Sequence, residues 1–266
     1  MRIDGKELAG RVYAQLLERR KTVARAPRLG IIVGGNDPVI ESFVRIKSRA
    51  ANRLDVELVR VDLGEHETTD RAIAAIRTLA IEVDGIIVQL PLPGTLDVNA
   101  VLSVIPDDKD IDSISTATPE HAVDAPVAGA IAEILHQTGV DPKGKQAVVV
   151  GAGRLVGNPA VHLLERLGAN VSSITLEQGS LDDLKMADIV VCGAGNPGFI
   201  KPEHLKPGVV LLDAGTSEQS GKVVGDCDPS CEAIASVFTP VPGGIGPVAI
   251  AMIFKNLLDL IEAKKK

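Results

Sequence analysis

Apolar residues in this chain fall into two alternating patterns: short solid runs of Val, Ile and Leu, and longer stretches in which apolar positions recur every three or four residues. Solid runs suit strands buried on both faces, and the spaced pattern suits amphipathic helices. In the first half the pattern predicts helices over Gly5–Arg20 and 38–52, and strands over 29–33 and 56–63. Thr68 or Thr69 caps a further helix that runs to about Leu79. A buried strand follows at Gly85–Gln89, and Pro91 and Pro93 end it, because proline cannot donate to a central ladder. Gln89 thereby stands at the C-terminal end of a parallel strand, where open α/β sheets place their ligands.

Residues 106–126 are rich in Asp, Ser, Thr and Pro and are expected to form a loop and hinge. Beyond them the pattern predicts a helix over 127–137, a strand at Gln146–Val150, a helix over 155–167 and a strand over 171–175. Two more buried strands follow at Ile189–Cys192 and 209–213. The run from Thr239 to Pro247 is expected to be a long turn, with a closing helix over 248–262. This alternation predicts an α/β fold built on parallel sheets. A chain of 266 residues is long enough for two domains. The expected division is an N-terminal α/β substrate domain over 1–115, completed by a C-terminal helix over 248–266, and a Rossmann-like domain over 116–247. A cleft is expected between them.

Composition narrows the function classes. Hydrophobic residues make up 45% of the chain but aromatics only 2%, so the core has to be built from small and branched aliphatics, as in buried parallel sheets. A net charge of −7, with no basic stripe apart from Lys264, Lys265 and Lys266, argues against nucleic acid as a partner. No apolar run reaches the ~18 residues of a membrane helix, so no membrane association is expected. Three cysteines, Cys192, Cys227 and Cys231, and no leader-like segment point to reduced thiols and a cytoplasmic location. Cys227 and Cys231 lie four apart without a second Cys or His pair at ligand spacing, and no metal site is expected.

The strand at Gln146–Val150 runs into Gly151-Ala152-Gly153-Arg154-Leu155-Val156-Gly157, a glycine-rich turn before a helix. Gly151, Gly153 and Gly157 allow a tight turn and close approach of a pyrophosphate, and the helix N-terminus supplies N–H groups and positive potential. The next strand is expected to end at Glu177, where a Rossmann unit places the acid that accepts from the adenosine ribose. That carboxylate would repel a 2′-phosphate, which favours NAD over NADP. Arg154 is the cation nearest the turn.

Several motifs then occur in a fixed order: Ile3-Asp4-Gly5-Lys6, Gly35-Asn36-Asp37-Pro38 leading to Phe43-Val44-Arg45-Ile46-Lys47, and Val88-Gln89-Leu90-Pro91-Leu92-Pro93. Pro106-Asp107-Asp108-Lys109-Asp110-Ile111-Asp112, Val156-Gly157-Asn158-Pro159, Val223-Val224-Gly225-Asp226 and the stretch from Pro240 to Pro247 follow. With them the chain resembles, over nearly its whole length, the bifunctional methylenetetrahydrofolate dehydrogenase/methenyltetrahydrofolate cyclohydrolase family. The resemblance implies oxidation of 5,10-methylenetetrahydrofolate to the 5,10-methenyl form with NAD or NADP, then hydrolysis to 10-formyltetrahydrofolate. It implies Lys47 as the lysine that assists water attack, Gln89 as the glutamine that hydrogen-bonds it, and Asp112 as the carboxylate that stabilises the methenyl cation. It also implies Phe43 as the ring stacked on the pterin, Pro242, Gly243 and Gly244 as part of a folate-contacting loop, and a homodimer.

The chain departs from the family pattern at several of these places. Phe43 stands where the family carries a tyrosine, so stacking is kept and a hydroxyl is lost; cyclohydrolase activity is expected to be reduced or absent. Gly151-Ala152-Gly153 replaces the usual Gly-Arg-Ser, which again leans to NAD where most bacterial relatives lean to NADP. Ser113 replaces a glycine, and no Pro-Cys-Thr-Pro follows in the hinge. Two other readings fit the same fold class: a dehydrogenase for another small substrate, like the shikimate or amino-acid dehydrogenases, and a non-catalytic folate- or nucleotide-binding protein.

Overall fold

The computed structural model describes residues 1–115, 122–219 and 221–264. Contacts divide the chain into two compact units, one of Met1–Arg11 with Val127–Met252 and one of Val12–Pro126 with Ile253–Lys266. Relative to a division at residue 115, this moves the first eleven residues to the second sheet. Backbone bonds explain the move: Ile3 N–H donates to Phe238 O and Phe238 N–H to Met1 O, at 2.9 Å each.

Elements follow in the order α1 (Gly5–Arg20), β1 (Arg28–Gly34), α2 (Pro38–Arg53), β2 (Glu57–Leu63), α3 (Thr69–Glu82), β3 (Gly85–Gln89) and α4 (Val98–Leu102). Then come α5 (Pro126–Thr138), β4 (Gln146–Val150), α6 (Gly157–Arg166), β5 (Asn170–Ile174), β6 (Ile189–Cys192) and β7 (Val210–Asp213). A hairpin, β8 (Ser217–Gln219) with β9 (Lys222–Val224), the short β10 (Val237–Phe238) and α7 (Ile245–Ala263) complete the chain.

The unit of Val12–Pro126 with Ile253–Lys266 holds a parallel sheet β2-β1-β3, and the unit of Met1–Arg11 with Val127–Met252 holds a parallel sheet β10-β7-β6-β4-β5. β1, β3, β6 and β7 are buried along almost every residue, whereas β2 and β5, each at one edge of its sheet, carry exposed polar positions. Burial on both faces is what solid aliphatic runs require, and polar edges blunt further pairing.

The expected helices and long strands all form, most ends shifting by a residue or so and α3 running on to Glu82 rather than Leu79; three differences bear on the site. α7 starts at Ile245 rather than 248, because Pro247 lies in the first turn, where its missing N–H has no helical partner to lose. α6 starts at Gly157 rather than 155, since Val156 is non-helical at φ −129° and ψ −65°. β5 ends at Ile174, so Glu177 is not at a strand end; Thr175 N–H donates to Gln178 O at 2.8 Å and closes a turn around it. α4 and the three short strands β8, β9 and β10 carry too little periodicity to be foreseen. Within the expected hinge, Asp107–Lys109 is a 3₁₀ turn and the chain up to 115 folds around Asp110; residues 116–121 of that hinge lie outside the described residues.

Ser113 has φ +54°, the left-handed region in which a Cβ is strained. Here the departure from glycine has a measurable cost. Ser113→Gly is expected to raise stability by about 0.5–1 kcal/mol, the relief of strain outweighing the added freedom of the unfolded chain. A denaturant midpoint that does not rise would show that the serine hydroxyl offsets the strain.

Candidate functional site

α2 buries Ile40, Val44, Lys47 and Ala51, spaced as one helical face, so Lys47 occupies a core position of an amphipathic helix. Asp37 starts that helix by accepting from Val39 N–H at 2.7 Å, with Pro38 next. β1, which precedes the helix, pairs Val33 with Gln89 at the C-terminal end of β3. The chain after Gln89 folds tightly over the end of β1: a Cβ on Gly34 would lie 2.4 Å from Pro93 Cδ. These constraints bring Lys47 and Gln89 together. Lys47 Nζ donates to Gln89 Oε1 at 2.5 Å, and Gln89 Nε2 donates to Leu90 O at 2.9 Å, which turns the amide oxygen toward the lysine.

Lys47 is only 8% exposed. Burial pushes its pKa below the ordinary lysine value of 10.5, and the nearby charge of Asp112 works in the opposite sense. A neutral amide as its hydrogen-bond partner, in place of a carboxylate, leaves the burial effect dominant. Asp112 keeps part of its surface accessible, yet the surrounding protein raises its pKa to about 6; Lys47 opposes that rise and Asp110 adds to it. An amine pushed down and a carboxyl pushed up in one place is a pattern that clusters at functional sites, where acid–base groups are tuned by burial and by each other.

The segment that carries Asp112 is fixed by its neighbours in the motif. Lys109 Nζ donates to Val83 O at 2.8 Å and to Ala80 O, the carbonyls at the C-terminal end of α3. Asp110 bridges Ile86 of β3 through its backbone. Its Oδ2 accepts from Ile114 N–H at 2.9 Å and Ser115 N–H at 2.7 Å. Asp112 is held in the turn between. The roles of Lys109 and Asp110 are not visible in the sequence, where both read as charges on a loop. Phe43 lies one turn before Lys47 on α2 and is 38% exposed, in an apolar stripe with Val39 and Ile46.

The other expected residues belong to the other compact unit. Gly151 has φ +107°, and a Cβ there would lie 2.5 Å from Gly193 O; a Cβ on Gly157 would lie 2.0 Å from Gly151 O. Both glycines are required by close backbone approach. Gly153 is exposed with open space beside it, and Arg154 is half-buried in the turn. α6 begins without a side-chain cap at Val156, and Asn158 N–H donates back to Gly153 O at 3.1 Å, which closes the glycine-rich turn onto the helix start. A cradle that a Cβ would fill, next to an uncapped helix start, fits a pyrophosphate. Glu177 is exposed in the turn after β5.

The loop with Pro242, Gly243 and Gly244 is braced by the N-terminal motif. Asp4 Oδ1 accepts from Lys6 and Glu7 N–H, both at 3.0 Å, and so starts α1; Gly5 N–H donates to Gly243 O at 2.8 Å. A Cβ on Gly5 would lie 1.8 Å from Gly244 O, which explains the glycine in Ile3-Asp4-Gly5-Lys6. Two buried acids, Asp213 and Asp226, organise the loops after β6 and β7 and were not singled out by residue pattern; the cue was an acid next to glycine after an apolar strand, in Asp213-Ala214-Gly215 and Gly225-Asp226.

Comparison with known proteins gives two family matches. Residues 3–112 match the catalytic domain of tetrahydrofolate dehydrogenase/cyclohydrolase, and residues 125–265 match its NAD(P)-binding domain. The bifunctional protein FolD of Methanospirillum hungatei is 36% identical over 272 residues, covering 98% of this chain and 97% of the relative. Among solved structures, the bifunctional methylenetetrahydrofolate dehydrogenase/cyclohydrolase of Campylobacter jejuni superposes with a TM-score of 0.93 at 29% identity, covering 99% of each chain. The Trypanosoma brucei enzyme, solved with NADP and an inhibitor, gives 0.93 at 31% identity, covering 100% of this chain and 98% of the other.

Proposed function

Because the chain belongs to the tetrahydrofolate dehydrogenase/cyclohydrolase family, we propose that it oxidises 5,10-methylenetetrahydrofolate to the 5,10-methenyl form and hydrolyses that product to 10-formyltetrahydrofolate. The observation that carries this reading is the buried Lys47–Gln89 pair with the charge of Asp112 acting on it. A nicotinamide dinucleotide, when bound, supplies the hydride acceptor; Gly151, Gly157 and the start of α6 would hold its pyrophosphate, with Gly153 and Arg154 lining the same turn. Loss of hydride leaves positive charge on the one-carbon bridge, which the Asp112 carboxylate stabilises. In the hydrolytic step Lys47, held by Gln89, takes a proton from the attacking water. Phe43, exposed one turn before Lys47, would stack on the pterin of the folate. Without a hydroxyl at Phe43 the water-activating network is one member short, so hydrolysis is the slower of the two activities.

NAD+ is the proposed acceptor over NADP+: Ala152 takes the place of the arginine that would pair with a 2′-phosphate, and the exposed Glu177 carboxylate lies in the turn after β5. The proposed assembly is a homodimer, on the family resemblance, which light scattering at twice the 27.8 kDa chain mass would register and a monomer mass would refute. A dehydrogenase for a shikimate-like or amino-acid substrate is not favoured, since both domains match the folate family. Among the described residues no helix is long and apolar enough to cross a membrane. The test is absorbance of the purified protein with methylenetetrahydrofolate and either dinucleotide. Reduced nicotinamide should form, faster with NAD+, with methenyl product accumulating before it is hydrolysed; no reduction with either would overturn the reading.

A further inference from the structure

Asp226 is fully buried, and its carboxylate accepts from three consecutive backbone N–H groups. Oδ2 takes Ala194 at 2.6 Å and Gly195 at 3.2 Å, and Oδ1 takes Asn196 at 2.9 Å. These residues form the loop after β6. The loop starts at Gly193, whose carbonyl backs onto Gly151 and whose own Cβ, if present, would lie 2.3 Å from Val156 Cγ1. The Asp226 loop is therefore packed against the glycine-rich turn on two sides.

Asp226 is itself held by a second acid. Asp213, at the end of β7, accepts through Oδ1 from Gly215 N–H at 2.9 Å and Asp226 N–H at 3.2 Å, and through Oδ2 from Cys227 N–H at 2.9 Å. Space for these contacts exists only because two neighbours are glycines. A Cβ on Gly215 would lie 2.4 Å from Asp226 Oδ1, and one on Gly225 would lie 2.1 Å from Asp213 Oδ2. Burial raises the pKa of both acids, Asp213 to about 6, while the N–H donors pull the other way. Burying two carboxylates is costly, and replacing such groups by apolar ones often stabilises a fold, so stability alone does not account for them. Successive N–H groups that converge on one point make an anion-binding concavity. In this loop a carboxylate of the chain itself fills that concavity.

We propose that Asp226 is a positioning residue for the dinucleotide: by occupying the amide concavity of residues 194–196 it holds that loop as a fixed wall beside the glycine-rich turn. The inference rests on the reading of this unit as the dinucleotide-binding one. Asp213 acts one step further back, fixing the backbone from which Asp226 reaches. In Asp226→Asn the single oxygen can still accept from Ala194 and Gly195, but the amide nitrogen would face Asn196 N–H, donor against donor.

The experiment measures binding of NAD+ and NADP+ by calorimetry, with KM and kcat, in the wild-type chain and in Asp226→Asn. The dissociation constant and KM for the dinucleotide are expected to rise about tenfold or more, as loss of a charge-assisted contact implies, with a far smaller fall in kcat at saturation. A merely structural role would lower kcat and the active fraction and leave the dinucleotide KM in place, which would overturn the proposal. Should Asp226→Asn fail to fold, Gly215→Ala, which drives a methyl against the carboxylate, is expected to weaken dinucleotide binding in the same way; unchanged affinity in a folded variant also overturns it. No dinucleotide binding by the wild-type chain would instead refute the reading of the unit.

Discussion

Lys47→Met is expected to lower the hydrolysis of methenyltetrahydrofolate by roughly 10²–10⁴-fold, the usual contribution of a positioned acid–base group. The change keeps an unbranched side chain, one heavy atom shorter, on the buried face of α2 between Val44 and Ala51, and removes the only basic atom there. A second readout concerns stability. The pKa of Lys47 is lowered in the folded protein, so folding favours the neutral amine. The cost of burying the ammonium is fully present below the folded pKa and is relieved as pH rises through it toward the unfolded value of 10.5. Wild-type stability relative to Lys47→Met should therefore increase with pH over that window. Full hydrolytic activity in Lys47→Met would remove the lysine from the mechanism, and a stability difference independent of pH would show that it is not buried as a perturbed amine.

Much of the fold was legible because it rests on local signals. Aliphatic runs marked β1, β3, β4, β6 and β7; Thr68 accepts from Arg71 N–H at the start of α3 as a cap should; and Pro91 and Pro93 ended β3 at Gln89. Lys47 was also legible in principle, since it falls in register with Ile40, Val44 and Ala51, although Arg45 and Arg49 beside it read as a solvated face. What could not be read is long-range. Nothing local says that Lys109 reaches the end of α3, that Asp110 bridges to Ile86 of β3, or that Asp226 reaches back across more than thirty positions to the loop after β6. Each is a charged residue in a polar segment, and only tertiary closure decides whether such a residue is solvated or buried. Glu177 shows the converse: its place in a motif suggested a strand end, and a local turn set it three residues further on.

Asp112→Asn separates the two roles given to that carboxylate. Its pKa is about 6 in the folded protein against an ordinary 3.8, so folding favours the protonated form. The sign follows: this contribution to stability is present at low pH and is lost as pH rises from about 4 to about 6, which makes the ionised group a cost at neutral pH. A neutral asparagine should make the protein more stable than wild type at pH 7 and leave the two nearly equal at pH 4. Catalysis should move the other way. With no negative charge beside the developing methenyl cation, the dehydrogenase rate is expected to fall by about 10²-fold, comparable to removing one electrostatic stabiliser of a transition state. The pH profile of hydrolysis supplies the independent check. Asp112 holds the pKa of Lys47 up, against burial. Removing its charge should let that pKa fall further, so the rising limb of the profile shifts to lower pH even as the dehydrogenase rate drops. A profile that shifts to higher pH, or does not shift, would mean that Asp112 does not act on Lys47 and that its effect on oxidation is exerted on the substrate alone.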